Sequence, residues 1–336
     1  MKITAAITGI GGYLPDYILT NDELSRMVDT NDQWIVEHTG IRERHILKGD
    51  AMGVSEMGAK AVARLLENTH TPPGAIDLLI CPTVTADMAF PSTSCIICGK
   101  TGITSAFAFD INAGCSGFLY GLTIAKNFIE NGACKKVIVV ANEKMSSLVD
   151  YTDRKTCPLF GDGAAAALVE PDRDGLGIQD IALYADGIGK QYLYQKAGGS
   201  MYPPTEETVR NHEHFIRQDG PNVYKHAVTN MSAAIETIMQ RNRLTGETVD
   251  YFISHQANLR IIDSVRNRME LDAKKVLINI DKRGNTSAAS VPLVLWDFEK
   301  RFKKGDNIII ATFGAGFTWG AMYYKWAYES SLNFEC

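Results

Sequence analysis

What most restricts the fold of this chain is that its two halves follow nearly the same plan. In the first half Ala75-Ile-Asp77 opens an apolar strand ending near Pro82, and a second strand, Ala106-Phe-Ala-Phe-Asp110, runs into Cys115. A segment with helical spacing, Ser116 to Asn131, follows; Gly132 closes it, and Lys135-Lys136 precedes a third strand, Val137-Ile-Val-Val-Ala141. In the second half Thr248-Val-Asp250 opens the strand Tyr251-Phe-Ile-Ser254, which ends at His255, and Val276-Leu-Ile-Asn279 leads towards Asn285 and a helical segment from Ala289 to Phe302. Lys303-Lys304-Gly305 closes that segment ahead of Asn307-Ile-Ile-Ile-Ala311. Self-similarity on this scale points to a duplicated unit, with chance recurrence of common strand–helix pairs as the alternative.

The strand segments are short, β-branched and too apolar to alternate, as strands covered on both faces are. Alternation with helical segments, including Tyr224 to Arg241, gives an α/β class. The polar, turn-rich stretch Glu170-Pro-Asp-Arg-Asp-Gly-Leu-Gly177 is the natural connector, dividing the chain into halves 1–174 and 175–336. At 336 residues the length suits about two domain equivalents. A net charge of −5 argues against general nucleic-acid binding. Seven cysteines, odd in number and irregularly spaced, do not form a secreted disulfide framework, so a reducing cytoplasm is expected. The apolar run from Met1 to Leu14 contains Gly9, Gly11 and Gly12 and lacks a cleavage site, so it is expected to be a strand and turn. No run is long and apolar enough to span a membrane.

Among the cysteines Cys115 stands apart. In Asn112-Ala-Gly-Cys-Ser-Gly117 it sits where a strand breaks through small residues and a helix begins, the geometry of a nucleophile elbow. Free N–H groups and the dipole at a helix start are expected to favour its thiolate. Cys95 and Cys98 have the spacing of a metal pair, but with no second pair nearby they fit one helix, and no zinc is expected. His255 follows an apolar strand at the edge where α/β proteins display site residues, whereas His212 and His214 lie in a polar loop. Asn285 precedes a helix, so it serves either as a cap or as a donor to a developing oxyanion. The glycine-rich turn in Phe313-Gly-Ala-Gly-Phe-Thr-Trp-Gly320 can bring backbone N–H groups close to another loop. Gly9-Ile-Gly-Gly12 makes a poor dinucleotide site because Pro15 stands where the helix should begin.

Taken in order, these motifs resemble the β-ketoacyl-acyl carrier protein synthase III family of the thiolase superfamily. The resemblance runs through Gln33-Trp-Ile35, Thr39-Gly-Ile-Arg-Glu-Arg-His45, Ala89-Phe-Pro91, the Cys115 motif, Phe160-Gly-Asp-Gly163, His255-Gln-Ala-Asn-Leu-Arg260, Gly284-Asn-Thr-Ser-Ala-Ala-Ser290 and Gly316-Phe-Thr-Trp-Gly320. It implies a five-layer αβαβα fold of two related halves, a homodimer and no cofactor. By resemblance, Cys115 carries the acyl group, and His255 with Asn285 stabilises the enolate formed when the malonyl group loses carbon dioxide. The N–H groups of Cys115 and of the Gly314-Ala315-Gly316 turn would form the oxyanion hole. Trp34, Arg154 and Asn258 would hold coenzyme A. Gln256, Ala257, Asn258, Leu259, Arg260 and Lys225 would receive the acyl carrier protein, and Phe90 would close the partner subunit's acyl pocket. Between Arg260 and Arg283 seven Lys/Arg face four Asp/Glu, a local basic excess that suits an acidic carrier.

Two places depart from the family's pattern: His38, where an arginine is usual, and Gly220-Pro221-Asn222 ahead of a helix. The primary reading is condensation of an acyl-coenzyme A primer with malonyl-acyl carrier protein, starting fatty-acid synthesis. The alternatives are a related acyl-coenzyme A-using condensing enzyme or acyltransferase of secondary metabolism, and a non-catalytic binding protein of the same fold.

Overall fold

The computed structural model describes residues 3–329; Met1, Lys2 and Cys336 lie outside them. Two sheets dominate. The first runs Thr4–Tyr13, Asp162–Asp172, Val137–Lys144, Leu78–Pro82, Phe107–Ile111, with the last three strands mutually parallel and the first two antiparallel to their neighbours. The second runs Gly177–Ala185, Thr318–Lys325, Asn307–Gly314, Tyr251–Ser254 in the same sense. Residues 173–176 turn from the last strand of one sheet into the first strand of the other, so Glu170 to Asp172 belong to a strand rather than to a loose connector.

The side-chain period of two sends alternate residues of each strand to opposite layers. From the first sheet Leu78, Ile80, Val137, Val139, Ala165 and Ala167 face inward, while Leu79, Ile138, Val140 and Ala166 face outward. From the second, Ile253, Ile308, Ile310 and Met322 join the same inner cluster as Phe118, Leu122, Leu293 and Val294 of helices Gly117–Glu130 and Ser290–Asp297. Helix Val54–Asn68 covers the outer face of one sheet, and helices Gly220–Asn242 and Leu259–Arg268 cover that of the other. Helices, sheet, helices, sheet, helices make the five layers expected. Burial on both faces accounts for the unbroken apolar runs in the sequence.

One expected strand is missing. Val276 makes only an isolated bridge to Phe252, because Asn279 N–H donates to the buried Gln256 amide at 3.2 Å and a short helix starts at Ile280. The helical segment expected from Ala289 to Phe302 ends at Asp297 and gives way to a tighter turn, Glu299–Arg301.

Candidate active site

Strand Phe107–Ile111 delivers Cys115 to a turn, Gly114–Ser116, that leads directly into helix Gly117–Glu130. From the other half the hairpin between Asn307–Gly314 and Thr318–Lys325 meets this turn. The approach is tight enough to require glycine twice. A Cβ on Gly314 would lie 2.4 Å from Cys115 N, and one on Gly114, whose φ is +53°, would lie 2.8 Å from Ala315 N. Thr318 Oγ1 donates to Ala113 O at 2.7 Å and Ser116 Oγ donates to Thr318 O at 3.1 Å, locking the two turns together. Backbone N–H groups of Cys115 and Ala315 reach the Cys115 sulfur. They do not make it a resting thiolate, as the sequence suggested. Burial outweighs them and the Ser287 hydroxyl, and with help from the nearby Glu143 charge the thiol is pushed up to about 12.

His255 ends its strand and is 3% exposed. Its Nδ1 lies 2.6 Å from Ser290 Oγ, which also accepts the Gln256 N–H at 3.4 Å. Where the Ser290 O–H donates to Nδ1, the proton of the neutral ring sits on Nε2 and faces the cavity. Burial lowers the imidazole to about 3, so the ring stays neutral. Asn285 is clamped by its backbone, its N–H donating to Leu159 O at 2.8 Å and its carbonyl accepting from Gly161 N at 3.0 Å. Its Oδ1 accepts the Ser287 N–H at 2.9 Å. The capping and donor readings of Asn285 are therefore compatible: the oxygen caps the turn and the NH2 remains the donor end.

Cys115, His255 and Asn285 line one cavity of about 970 Å³ that opens past Trp34, His38, Arg154 and Asn258. At its mouth the Arg154 guanidinium lies 5.2 Å from the Trp34 ring centre, and the His38 ring stacks on Trp34 at 4.4 Å. Asn258 caps helix Leu259–Arg268 and donates to His38 O at 2.9 Å, tying the mouth to the other half. Pro221 occupies the first turn of helix Gly220–Asn242, where a missing N–H costs nothing, and Asp219 caps it.

Arg260 and Lys225 are exposed, and Ala257 and Leu259 are half-buried. Gln256 is fully buried, its amide spent on Ser254 O and the Asn279 N–H, so it presents no face to a docking protein and drops out of that set. Phe90 is 85% exposed and lies outside the cavity of its own chain. Among the described residues no three His, Cys, Asp or Glu side chains gather as a metal site would. No helix there is long and apolar enough to cross a membrane.

The sequence profile of 3-oxoacyl-[acyl-carrier-protein (ACP)] synthase III matches residues 109–187, and that of its C-terminal region matches residues 239–326. A Bacteroides thetaiotaomicron protein named beta-ketoacyl-[acyl-carrier-protein] synthase III 1 is 54% identical over 328 residues, covering 98% of both chains. The chain belongs to the 3-oxoacyl-[acyl-carrier-protein] synthase III family. A synthase III of Porphyromonas gingivalis is 48% identical, again with 98% of each chain covered. Among solved structures, the synthase III of Aquifex aeolicus superposes with a TM-score of 0.88 at 37% identity, covering 96% of this chain and all of that one. The priming beta-ketosynthase of the R1128 polyketide pathway superposes with a TM-score of 0.90 at 32% identity, covering 97% of each chain. The fold is thus that of the thiolase-like condensing enzymes, and this synthase III family member is an acyltransferase of fatty-acid biosynthesis.

Two residues of this synthase III site escaped the sequence reading. Glu143, at the end of strand Val137–Lys144, is fully buried, and Ser287 lies between it and Cys115. The available signal was an acidic residue two positions beyond an apolar strand, at the sheet edge that carries the site.

Proposed function

We propose that Cys115 takes an acyl group from coenzyme A and that the acyl-enzyme then condenses with malonyl-acyl carrier protein, releasing carbon dioxide and a β-ketoacyl-carrier. The observation that carries this reading is the meeting of Cys115, His255 and Asn285 in one cavity, the last two as neutral donors. In the first half-reaction the sulfur attacks the thioester carbonyl, whose oxygen gains charge beside the N–H groups of Cys115 and Ala315. In the second, the malonyl thioester oxygen accepts from His255 Nε2–H and the Asn285 NH2. Charge left by departing carbon dioxide spreads onto that oxygen, and the carbanion attacks acyl-Cys115. A donor of this kind is typically worth about 3–4 kcal/mol in the transition state.

Trp34, Arg154 and Asn258 form the mouth through which the pantetheine arms of both substrates pass. Arg260 and Lys225 on adjoining helices offer an acidic carrier its positive surface, and Phe90 reaches the acyl pocket of a second subunit in a cytoplasmic homodimer. The reaction draws on no metal or redox group. Incubation with labelled acetyl-coenzyme A and malonyl-carrier, read by mass spectrometry, should give acyl-Cys115 and a malonyl-dependent β-ketoacyl-carrier. Cys115→Ala should abolish both. An acyl-enzyme with no ketoacyl product would reject the condensation and favour simple acyl transfer.

A further inference from the structure

The resting nucleophile is a buried thiol, and His255 in the role proposed above, a neutral donor through Nε2–H with its Nδ1 against Ser290, offers no base for the thiol proton. A route exists on the other side of the sulfur. Cys115 Sγ donates to Ser287 Oγ at 3.6 Å, within reach for sulfur, and Ser287 Oγ donates to Glu143 Oε1 at 3.0 Å. Ser287 holds a left-handed backbone, φ +50°, unusual for a residue with a side chain, and this conformation places its hydroxyl between the other two groups.

We propose that Ser287 and Glu143 are the proton relay of Cys115. As the Cys115 sulfur bonds to the acyl carbon and the coenzyme A carbon–sulfur bond breaks, the thiol proton passes to Ser287 Oγ while the Ser287 proton passes to Glu143. The coenzyme A thiolate leaves through the mouth and takes a proton from water. After condensation the tetrahedral intermediate expels Cys115 as a thiolate, and Glu143 returns the proton through Ser287. Ser287 touches the reacting sulfur; Glu143 acts through it.

The surroundings of Glu143 suit this task. Its carboxylate accepts from Thr85 Oγ1 at 2.7 Å, Val84 N at 3.1 Å and Thr83 Oγ1 at 3.2 Å, so it is held still in either protonation state. Burial raises it to about 7 against those bonds, close to where a base of this kind works best. The titratable groups that feel its charge are the thiols of Cys115 and Cys81. Cys81 is fully buried, bonded to Asn142 and held far above the range in which it would ionise. Among the described residues no cation pairs with Glu143, so its negative charge opposes a Cys115 thiolate unless it takes the proton itself.

That opposition gives the test a sign. The proposal rests on Cys115 being the acylated nucleophile, so the probe of the relay is iodoacetamide, which needs no acyl substrate. Alkylation of Cys115 is followed by mass spectrometry from about pH 5.5 to 9.5 in the wild type, Glu143→Gln and Ser287→Ala, with thermal melting as the check on folding. Both variants should react about 100-fold more slowly near neutral pH, with the rate rising only where the thiol ionises unaided, and acylation by acetyl-coenzyme A should fall in parallel. If Glu143 acts only as a charge, Glu143→Gln will react as fast as the wild type or faster, and the relay is overturned. If Glu143→Gln does not fold, Ser287→Ala decides alone, since it keeps the charge and removes the path; an unchanged rate there overturns the proposal too. A wild type that is alkylated at Cys115 but never acylated by the thioester refutes the proposed function and leaves the relay result standing.

Discussion

Replacing His255 by glutamine should change how stability depends on pH, in a direction fixed by its burial. In the fold the imidazole is lowered from its ordinary 6.5 to about 3, and burial is the whole of the cause. Above pH 6.5 the ring is neutral in both folded and unfolded chains, so the depressed value costs nothing. As pH falls below 6.5 the unfolded chain takes up a proton that the folded chain refuses until about pH 3, so the fold loses stability throughout that window. Between pH 8 and pH 5 the loss from this one group is about 2 kcal/mol. Glu143 works in the opposite sense: raised from 4.5 to about 7, it is protonated more readily in the fold and stabilises it as pH falls below 7. The wild-type profile therefore hides each group behind the other, and a difference between proteins is needed. His255→Gln keeps Glu143 and removes only the imidazole. Urea titrations at pH 8 and pH 5 should show the variant gaining about 2 kcal/mol on the wild type between the two, whatever their offset at pH 8. Parallel profiles would mean that His255 ionises in the fold much as it does in water, and the neutral-donor role would fall with it.

The mouth and the clamp on Asn285 give two further predictions. Trp34→Ala should raise KM for acyl-coenzyme A several-fold while leaving the chemical step of bound substrate nearly unchanged in single-turnover assays; equal loss of both would place Trp34 in the chemistry instead. Arg44 is fully buried, donating to Leu19 O, Asn21 Oδ1 and Pro158 O beside the segment that clamps Asn285. Arg44→Met leaves those acceptors without a donor and should lower stability by about 3 kcal/mol, seen as a fall in Tm, and should slow condensation more than acylation.

The apolar runs and the repeat made the layers legible, because a strand covered on both faces has almost no other composition available. The same argument failed at Val276-Leu-Ile-Asn279: its composition is that of a strand, but the Gln256 side chain intercepts the Asn279 N–H. That Cys115, His255 and Asn285 would meet in one cavity was legible from their places in the repeat, each following an apolar run or preceding a helical one. The state of the Cys115 thiol was not, since the balance between helix-start N–H groups and burial depends on how closely the hairpin around Ala315 packs over the sulfur. Gln256 was misjudged for a related reason: adjacency to His255 in sequence says nothing of which way a side chain turns once a strand has ended. Ser287 stood within a quoted motif, yet its partner Glu143 lies 144 positions away, a separation that no local pattern spans.

In the proposed mechanism the two half-reactions make opposite demands, and the site separates them in space. Forming the acyl-enzyme requires a base for a proton; stabilising an enolate requires donors that keep theirs. A single histidine serving both would have to change protonation state between substrates. Here the donor side is His255, kept neutral by burial and with its Nδ1 against Ser290, together with Asn285, whose amide has no acid–base chemistry near neutrality. The basic side is a carboxylate on a strand of the other sheet, joined to the sulfur through Ser287. Ser287 belongs to both, its hydroxyl in the relay and its N–H on Asn285 Oδ1. Moving that residue would disturb proton transfer and enolate binding together, whereas removing its hydroxyl alone should disturb only the first. The duplicated architecture makes this division available: strand ends from both sheets converge on one cavity, so Cys115 and the carboxylate come from one half of the chain, the neutral donors from the other, and Ser287 links the two.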